Sequence, residues 1–108
     1  MYDLAIIGGG PAGVSAAVYA ARKRLKTVFI SESFGGQSVE SMGVENWIGT
    51  ISISGPNLAK AFETHLKKYA ADVVEIQVPA KAVKINKKDS GFSVTTDNGK
   101  EFESKALF

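Results

Sequence analysis

The sequence contains no cysteine among its 108 residues. A disulphide, a thiolate nucleophile and a zinc–thiolate site are therefore excluded from this chain, because each requires a cysteine sulfur. Histidine is nearly as scarce, since His65 is the only one, and it lies in a predicted helix. A lone helical histidine is more often structural or solvated than catalytic, so no catalytic residue is predicted.

Charge of one sign and long apolar runs are also lacking. The net charge is +2 and the lysines are scattered, so nothing indicates a nucleic-acid partner. No apolar run approaches the roughly 20 residues of a membrane span. The start, Met1-Tyr2-Asp3, lacks the basic residues of a signal peptide. We therefore expect one small cytoplasmic domain without a membrane partner.

Glycines, by contrast, are concentrated near the start of the chain. Gly8, Gly10 and Gly13 fill a G-x-G-x-x-G frame between the apolar run 4–7 and the small-residue run 14–21. In a dinucleotide-binding turn, the first glycine allows the tight turn and the second lets a pyrophosphate approach the backbone. The third glycine lets the helix pack closely on the sheet, with its N-terminus facing the phosphates. The frame predicts a strand, a phosphate-binding turn and a helix.

An acidic residue follows the second apolar run, 27–30. Glu32 lies 24 residues after Gly8, near the spacing of about 20 at which a carboxylate accepts hydrogen bonds from a ribose. A carboxylate there would repel a 2′-phosphate, so FAD or NAD is predicted rather than NADP. A glycine-rich turn without a ligand is the alternative, and the order of strand, turn, helix, strand and acid favours the nucleotide.

The remaining patterns predict an α/β fold. The predicted strands and helices are strand 3–7, helix 11–23, strand 27–31, a helix opening at Gly55-Pro56, strand 72–76, and strands 80–88, 91–96 and 100–108. The Asn98-Gly99 pair between two of the last runs is a strong hairpin signal. We expect a Rossmann-like half-domain, with helices on a parallel sheet, followed by an antiparallel three-stranded meander.

Two segments after the second strand carry no helix or strand period. The first contains Gly35, Gly36 and Gln37 and is expected at the sheet edge where ligands bind. The second, 39–55, is irregular, and its Trp47 is interpreted as a core residue rather than a pocket residue.

These motifs together resemble the N-terminal half of the FAD domain of thioredoxin reductase. More broadly, they resemble the flavoprotein family that also contains the flavoprotein subunit of alkyl hydroperoxide reductase and thioredoxin-reductase-like ferredoxin–NADP reductases. The resemblance runs through nearly the whole chain. The matching segments, in order, are 2–13, 16–22, 35–37, 45–47, 55–56 and a meander with an Asp-Asn-Gly turn.

The resemblance implies FAD as the cofactor and assigns residues along it. The residues against the pyrophosphate are Gly8, Gly10, Pro11, Ala12 and Gly13. The resemblance further implies that Glu32 meets the adenosine ribose, alone or together with Ser31.

Four further positions are implied by the same resemblance. Gly36 and Gln37 approach the FAD from the loop after the second strand. Asn46 reaches toward the flavin side. Val83 corresponds to a meander position whose backbone faces the adenine.

The resemblance also implies what the complete protein does. It would pass electrons from NAD(P)H through FAD to a disulphide or another redox acceptor, with a thioredoxin-like or ferredoxin-like partner, and form a homodimer. Residues 1–108 would be an incomplete N-terminal segment of the FAD-binding domain, without the nicotinamide-binding domain. Trp47-Ile48-Gly49 departs slightly from the aromatic-Pro-Gly of thioredoxin reductases, which leaves the subfamily open.

Two alternatives stand beside this enzyme hypothesis. The first is a stand-alone nucleotide-binding module without catalysis. The second is an inactive folded piece, ending in the unfinished apolar strand 105–108, which would associate through the edge exposed by its last strand.

Overall fold

The computed structural model describes all 108 residues as one six-stranded sheet with two helices on it. The strands are β1 (Tyr2–Ile7), β2 (Thr27–Ile30), β3 (Val74–Gln77), β4 (Ala82–Lys88), β5 (Gly91–Thr96) and β6 (Glu101–Leu107). The helices are α1 (Pro11–Arg22), α2 (Gly55–Ala70) and a short 3-10 turn, Gly36–Glu40. The predicted α/β fold is confirmed, and most boundaries agree within two residues. No helix is long and apolar enough to cross a bilayer.

The sheet joins a parallel part to an antiparallel part through its last strand. The order is β3-β2-β1-β6-β5-β4. β6 pairs in parallel with β1 and antiparallel with β5, so the predicted meander is confirmed and runs on into the parallel sheet. The expectation that the last strand forms an exposed edge is wrong, because β6 has a neighbour on each side. The edges are β3 and β4.

Both helices begin and pack as their sequences dictate. Pro11 opens α1, where its missing N–H costs nothing. At the start of α2, the Ser54 hydroxyl accepts a hydrogen bond from the Asn57 amide at 3.3 Å, which satisfies one free donor of the first turn. The spacing of Leu58, Phe62, Leu66 and Tyr69 predicts one apolar face of α2. Leu58, Phe62 and Leu66 are buried as predicted, whereas Tyr69 is 39% exposed.

The two faces of the sheet carry separate cores. Ile6 and Phe29 face the helices, in a cluster with apolar side chains of α1 and α2. Ala5 and Val28, which alternate with them along β1 and β2, form a second cluster with Val94 and other residues near the meander. Side chains of the meander, Val94 of β5 and Phe102 of β6, therefore pack with the face of β1 and β2 that is opposite the helices.

The segment before α2 is irregular, as expected, except for one antiparallel bridge between Val44 and Ile53. Trp47 lies edge-on to Phe62, with the ring centroids 5.2 Å apart, and packs against the helix-side core. Trp47 is half-buried, however, and also lines a cavity with residues of α1 and α2, so it is a pocket residue as well as a neighbour of the core. The segment is thus held to α2 by a side-chain contact rather than by regular structure.

Tyr2 has a raised pKa, and a hydrogen bond across the sheet contributes to it. Its hydroxyl donates to Glu75 Oε1 at 2.6 Å and so links the start of β1 to β3. Burial, and then this hydrogen bond to a carboxylate, raise the pKa of Tyr2 from 10.0 to about 12. The folded state therefore favours the protonated phenol.

We expect Tyr2 to make stability depend on alkaline pH. Because its folded pKa lies above the ordinary value, its contribution is fully present below pH 10.0 and is lost as the pH rises to about 12. Tyr2→Phe should therefore remove the part of the tyrosine absorbance change that occurs near pH 12. It should also reduce the fall in the free energy of unfolding, measured with urea, between pH 10.0 and about 12. Tyr19→Phe, at an exposed helix position, is the control and should leave the late phase in place.

Candidate nucleotide-binding site

A cleft of about 310 Å³ opens where β1 and β2 end. Ligands of α/β sheets bind at the carboxyl ends of parallel strands, which is where this cleft lies. Its lining residues come from three segments: Ile7, Gly8, Gly9 and Gly10; Ile30, Ser31, Glu32, Ser33 and Gly36; and Ala80, Lys81 and Ala82.

Two of the three glycines of the turn are required by the fold itself, and the third, Gly10, is not. Gly8 has φ +108°, a conformation that side chains rarely adopt. A Cβ on Gly13 would lie 1.8 Å from the carbonyl oxygen of Gly8, so the helix could not approach the strand. Gly10 has an ordinary φ of −78°, and the nearest atom to a Cβ there is Gly36 Cα at 3.8 Å. Neither backbone nor packing demands glycine at Gly10, and the space beside it is open to a ligand.

The loop after β2 lies directly against the glycine turn. The sequence predicts this loop at the edge of the sheet where ligands bind, and the structure places it there. The Gly35 amide donates to the Gly9 carbonyl at 2.7 Å. A Cβ on Gly36 would stand 3.1 Å from Gly10 Cα. Gly35 and Gly36 both have positive φ, a conformation that favours glycine. Because the two glycine-rich segments approach each other this closely, they form one wall that is lined by backbone atoms.

The acidic side of the cleft has one occupied and one free polar group. The Ser31 hydroxyl donates to the Ser33 carbonyl at 2.6 Å, so its hydrogen is used within the loop. Glu32 is exposed and takes part in none of the chain's ion pairs or side-chain hydrogen bonds. Its carboxylate can therefore accept hydrogen bonds from a ligand's hydroxyls.

The structure brings together five of the residues predicted to hold the cofactor and leaves others outside the cleft. Those that line it are Gly8, Gly10, Ser31, Glu32 and Gly36. Gly13 packs beneath the turn, and Pro11 and Ala12 open α1, whose first-turn amides have no carbonyl partner within the helix.

Three predicted residues stand further off. Gln37 and Asn46 are exposed and do not line the cleft. Val83 is 57% exposed and lies one residue beyond the lining residue Ala82. Their roles toward a cofactor stay predictions from the resemblance.

Sequence reasoning missed the third wall of the cleft, which includes Lys81. The Ala80 amide donates to the Ser31 carbonyl at 2.8 Å and so fixes this wall beside the acidic loop. No local pattern marks the segment, because the contact joins residues far apart in sequence. Only the tertiary structure reveals it.

Comparison with known proteins decides the family. Residues 2–108 match the family described as pyridine nucleotide-disulphide oxidoreductase. The chain belongs to this family. The resemblance drawn from the motifs is thereby confirmed, and the cleft is formed by the glycine turn of this family member together with the loops that surround it.

Relatives and solved structures agree with this assignment. The chain is 42% identical over 106 residues to an NADH dehydrogenase of Bacillus subtilis and 38% identical over 106 residues to an alkyl hydroperoxide reductase subunit of Pseudomonas aeruginosa. Each alignment covers 98% of this chain and 20% of the relative. The chain thus spans about a fifth of the length of these relatives.

Among solved structures, thioredoxin reductases of Lactococcus lactis and Streptococcus pyogenes superpose with TM-scores of 0.89 and 0.88, at 31% and 37% identity. Each superposition covers 99% of this chain and 34% of the other. The predicted arrangement of parallel sheet, helices and meander is therefore a fold that these enzymes contain within about a third of their length. The disulphide in the family's description has no counterpart among these residues, because none is cysteine.

Proposed function

We propose that this chain binds the ADP part of FAD within a longer flavin-dependent oxidoreductase. The observation that carries this proposal is the pairing of two features in one cleft. Gly10 is a glycine that neither its φ nor a close packing contact requires, and Glu32, in the same cleft lining, has a free carboxylate. An open backbone turn suits a pyrophosphate, and a free carboxylate suits a ribose.

Within that function, the chain's residues bind and orient the cofactor. Backbone amides at the start of α1 would face the phosphates, with Gly8, Gly10 and Gly36 forming the wall. Glu32 would accept from the ribose hydroxyls. Bound flavin would supply the hydride and electron transfer that these residues do not.

The rest of the proposal concerns the complete protein. Residues 1–108 form the N-terminal segment of its FAD-binding domain. The protein passes electrons from NAD(P)H through FAD to a disulphide or another acceptor, carried by a thioredoxin-like or ferredoxin-like protein, and it acts as a cytoplasmic homodimer. The oxidoreductases among its relatives support this proposal.

A second candidate is nucleotide binding without catalysis. It is favoured by a cleft that joins the glycine turn to the free carboxylate of Glu32 and contains neither cysteine nor histidine. The two functions differ in one assay. The assay uses the complete protein, because the isolated chain is expected to be inactive under both functions. NADH-dependent reduction of an artificial electron acceptor by the complete, FAD-loaded protein supports the oxidoreductase, whereas FAD binding without that reduction supports the binding module.

We expect the chain to bind FAD and ADP with submillimolar affinity, and Glu32→Gln to weaken ADP binding by about tenfold, the loss of roughly one charge-assisted hydrogen bond. The same variant should discriminate less against an ADP carrying a 2′-phosphate, because the repelling charge is gone. Calorimetric titration measures both effects.

Glu40→Gln, at an exposed position outside the cleft lining, is the matched control and should bind as the parent does. Absence of binding by the parent chain would refute the proposal. Unchanged ADP affinity in Glu32→Gln would remove the role of that carboxylate.

A further inference from the structure

The third wall of the cleft, residues 80–82, contributes one positively charged side chain, that of Lys81. Lys81 lies between Ala80, which is buried, and Ala82. Its amide donates to Asp97 Oδ1 at 3.2 Å, and its carbonyl accepts from the Asp97 amide at 2.8 Å. Together with the Ala80–Ser31 hydrogen bond, these contacts fix the backbone on both sides. Only the lysine side chain remains free to move.

Lys81 and Glu32 have opposite charges and line the same cleft, yet they do not pair. The ion pairs of the chain, within 4.0 Å, include neither residue. A cleft lined by a donor-only ammonium and an acceptor-only carboxylate suits a ligand that offers both acceptors and donors. A nucleoside offers ring nitrogens as acceptors and ribose hydroxyls as donors.

The ordinary role of lysines on an exposed strand is to protect a sheet edge. The lysines that lie on the edge strand β4 itself include Lys87 and Lys88. Lys87 Nζ lies 5.0 Å from the Phe92 ring centroid, and Lys88 Nζ lies 3.9 Å from Glu103. Lys81 precedes β4 and takes part in neither contact.

We propose that Lys81 is a specificity-determining residue for the adenosine end of the nucleotide, where its ammonium donates to an acceptor nitrogen of the base. This assignment rests on the proposed function. The Ala80–Ser31 hydrogen bond fixes the backbone next to Lys81 against the end of β2, one residue before Glu32, whose carboxylate is proposed to bind the ribose.

The experiment titrates the parent chain, Lys81→Met, Lys81→Arg and Lys84→Met with ADP at low and high salt. Lys84 is an exposed lysine on β4 that does not line the cleft, so its variant is the control. We expect Lys81→Met to bind about tenfold more weakly, the effect of one hydrogen bond to a charged donor. Lys81→Arg should recover part of the loss, and Lys84→Met should match the parent.

The salt series locates the contact along the ligand. A lysine paired with a phosphate loses its effect as salt screens the two charges, whereas a hydrogen bond to a neutral base does not. A Lys81→Met deficit that persists at high salt supports the proposal, and one that vanishes overturns it in favour of a phosphate contact. Equal ADP affinity of Lys81→Met and the parent overturns it while leaving the proposed function standing. Failure of the parent to bind ADP refutes the proposed function itself.

Discussion

Gly13→Ala is expected to destabilise the chain by about 3 kcal/mol or more, the upper range for overpacking a tight contact. The added Cβ would lie 1.8 Å from the Gly8 carbonyl oxygen and 2.9 Å from its carbonyl carbon. Both are backbone atoms, so no side-chain rotation relieves the clash and α1 must move away from β1. Urea unfolding followed by the fluorescence of Trp47, the only tryptophan, measures the loss.

The control is Gly43→Ala, because Gly43 has no positive φ and the nearest atom to its added Cβ is Ser52 Oγ at 3.9 Å. Its urea midpoint should differ little from the parent's. If Gly13→Ala unfolded at the parent's midpoint too, the close approach of α1 to β1 would not be what requires this glycine.

Gly13 belongs to the part of the molecule that the sequence predicts best. The glycine turn, the apolar face of α2 and the Asn98-Gly99 hairpin are each fixed by residues close together in the chain. Their signals are local: a glycine spacing, a 3–4 period and a turn pair. The structure places all three where these signals put them.

The features that sequence could not predict all depend on contacts between distant residues. β6 enters the parallel sheet beside β1, which its alternating pattern does not distinguish from a meander strand at an edge. Lys81 reaches the cleft because Ala80 bonds to Ser31, nearly half the chain away. Pairing of this kind is set by tertiary packing, so no window of neighbouring residues encodes it.

Within the candidate site, the division is similar. Gly8, Gly10 and Glu32 were predicted from spacing and do line the cleft. The resemblance implies that Glu32 meets the ribose alone or together with Ser31. In the structure, the Ser31 hydroxyl donates to the Ser33 carbonyl at 2.6 Å and its oxygen accepts from the Ser33 amide at 3.4 Å. A local hydrogen bond thus leaves Glu32 as the freer acceptor of the pair.

Gly10→Ala is expected to separate binding from folding. Glycine is the better N-cap than alanine, while removing a glycine reduces the entropy of the unfolded chain, and the two effects nearly cancel, to within about 1 kcal/mol. A methyl group at Gly10 would make an ordinary van der Waals contact with Gly36 Cα at 3.8 Å, without a clash. By the proposed function, it would stand where a pyrophosphate approaches. We expect ADP and FAD affinity to fall by about tenfold to a hundredfold, the effect of roughly 1–3 kcal/mol of overpacking.

Paired measurements of the urea midpoint and the ADP affinity decide between two explanations of this glycine. An affinity loss at constant midpoint means that the ligand, rather than the fold, requires a bare backbone at Gly10. A fall in both would mean that the alanine disturbs the turn itself, contrary to its φ of −78° and the 3.8 Å separation from Gly36. Parent-like affinity would show that the ligand does not approach the turn at Gly10. Gly13→Ala is expected to lower the urea midpoint, whereas Gly10→Ala is expected to leave it in place. The two variants together therefore assign Gly13 to the fold and Gly10 to the cofactor.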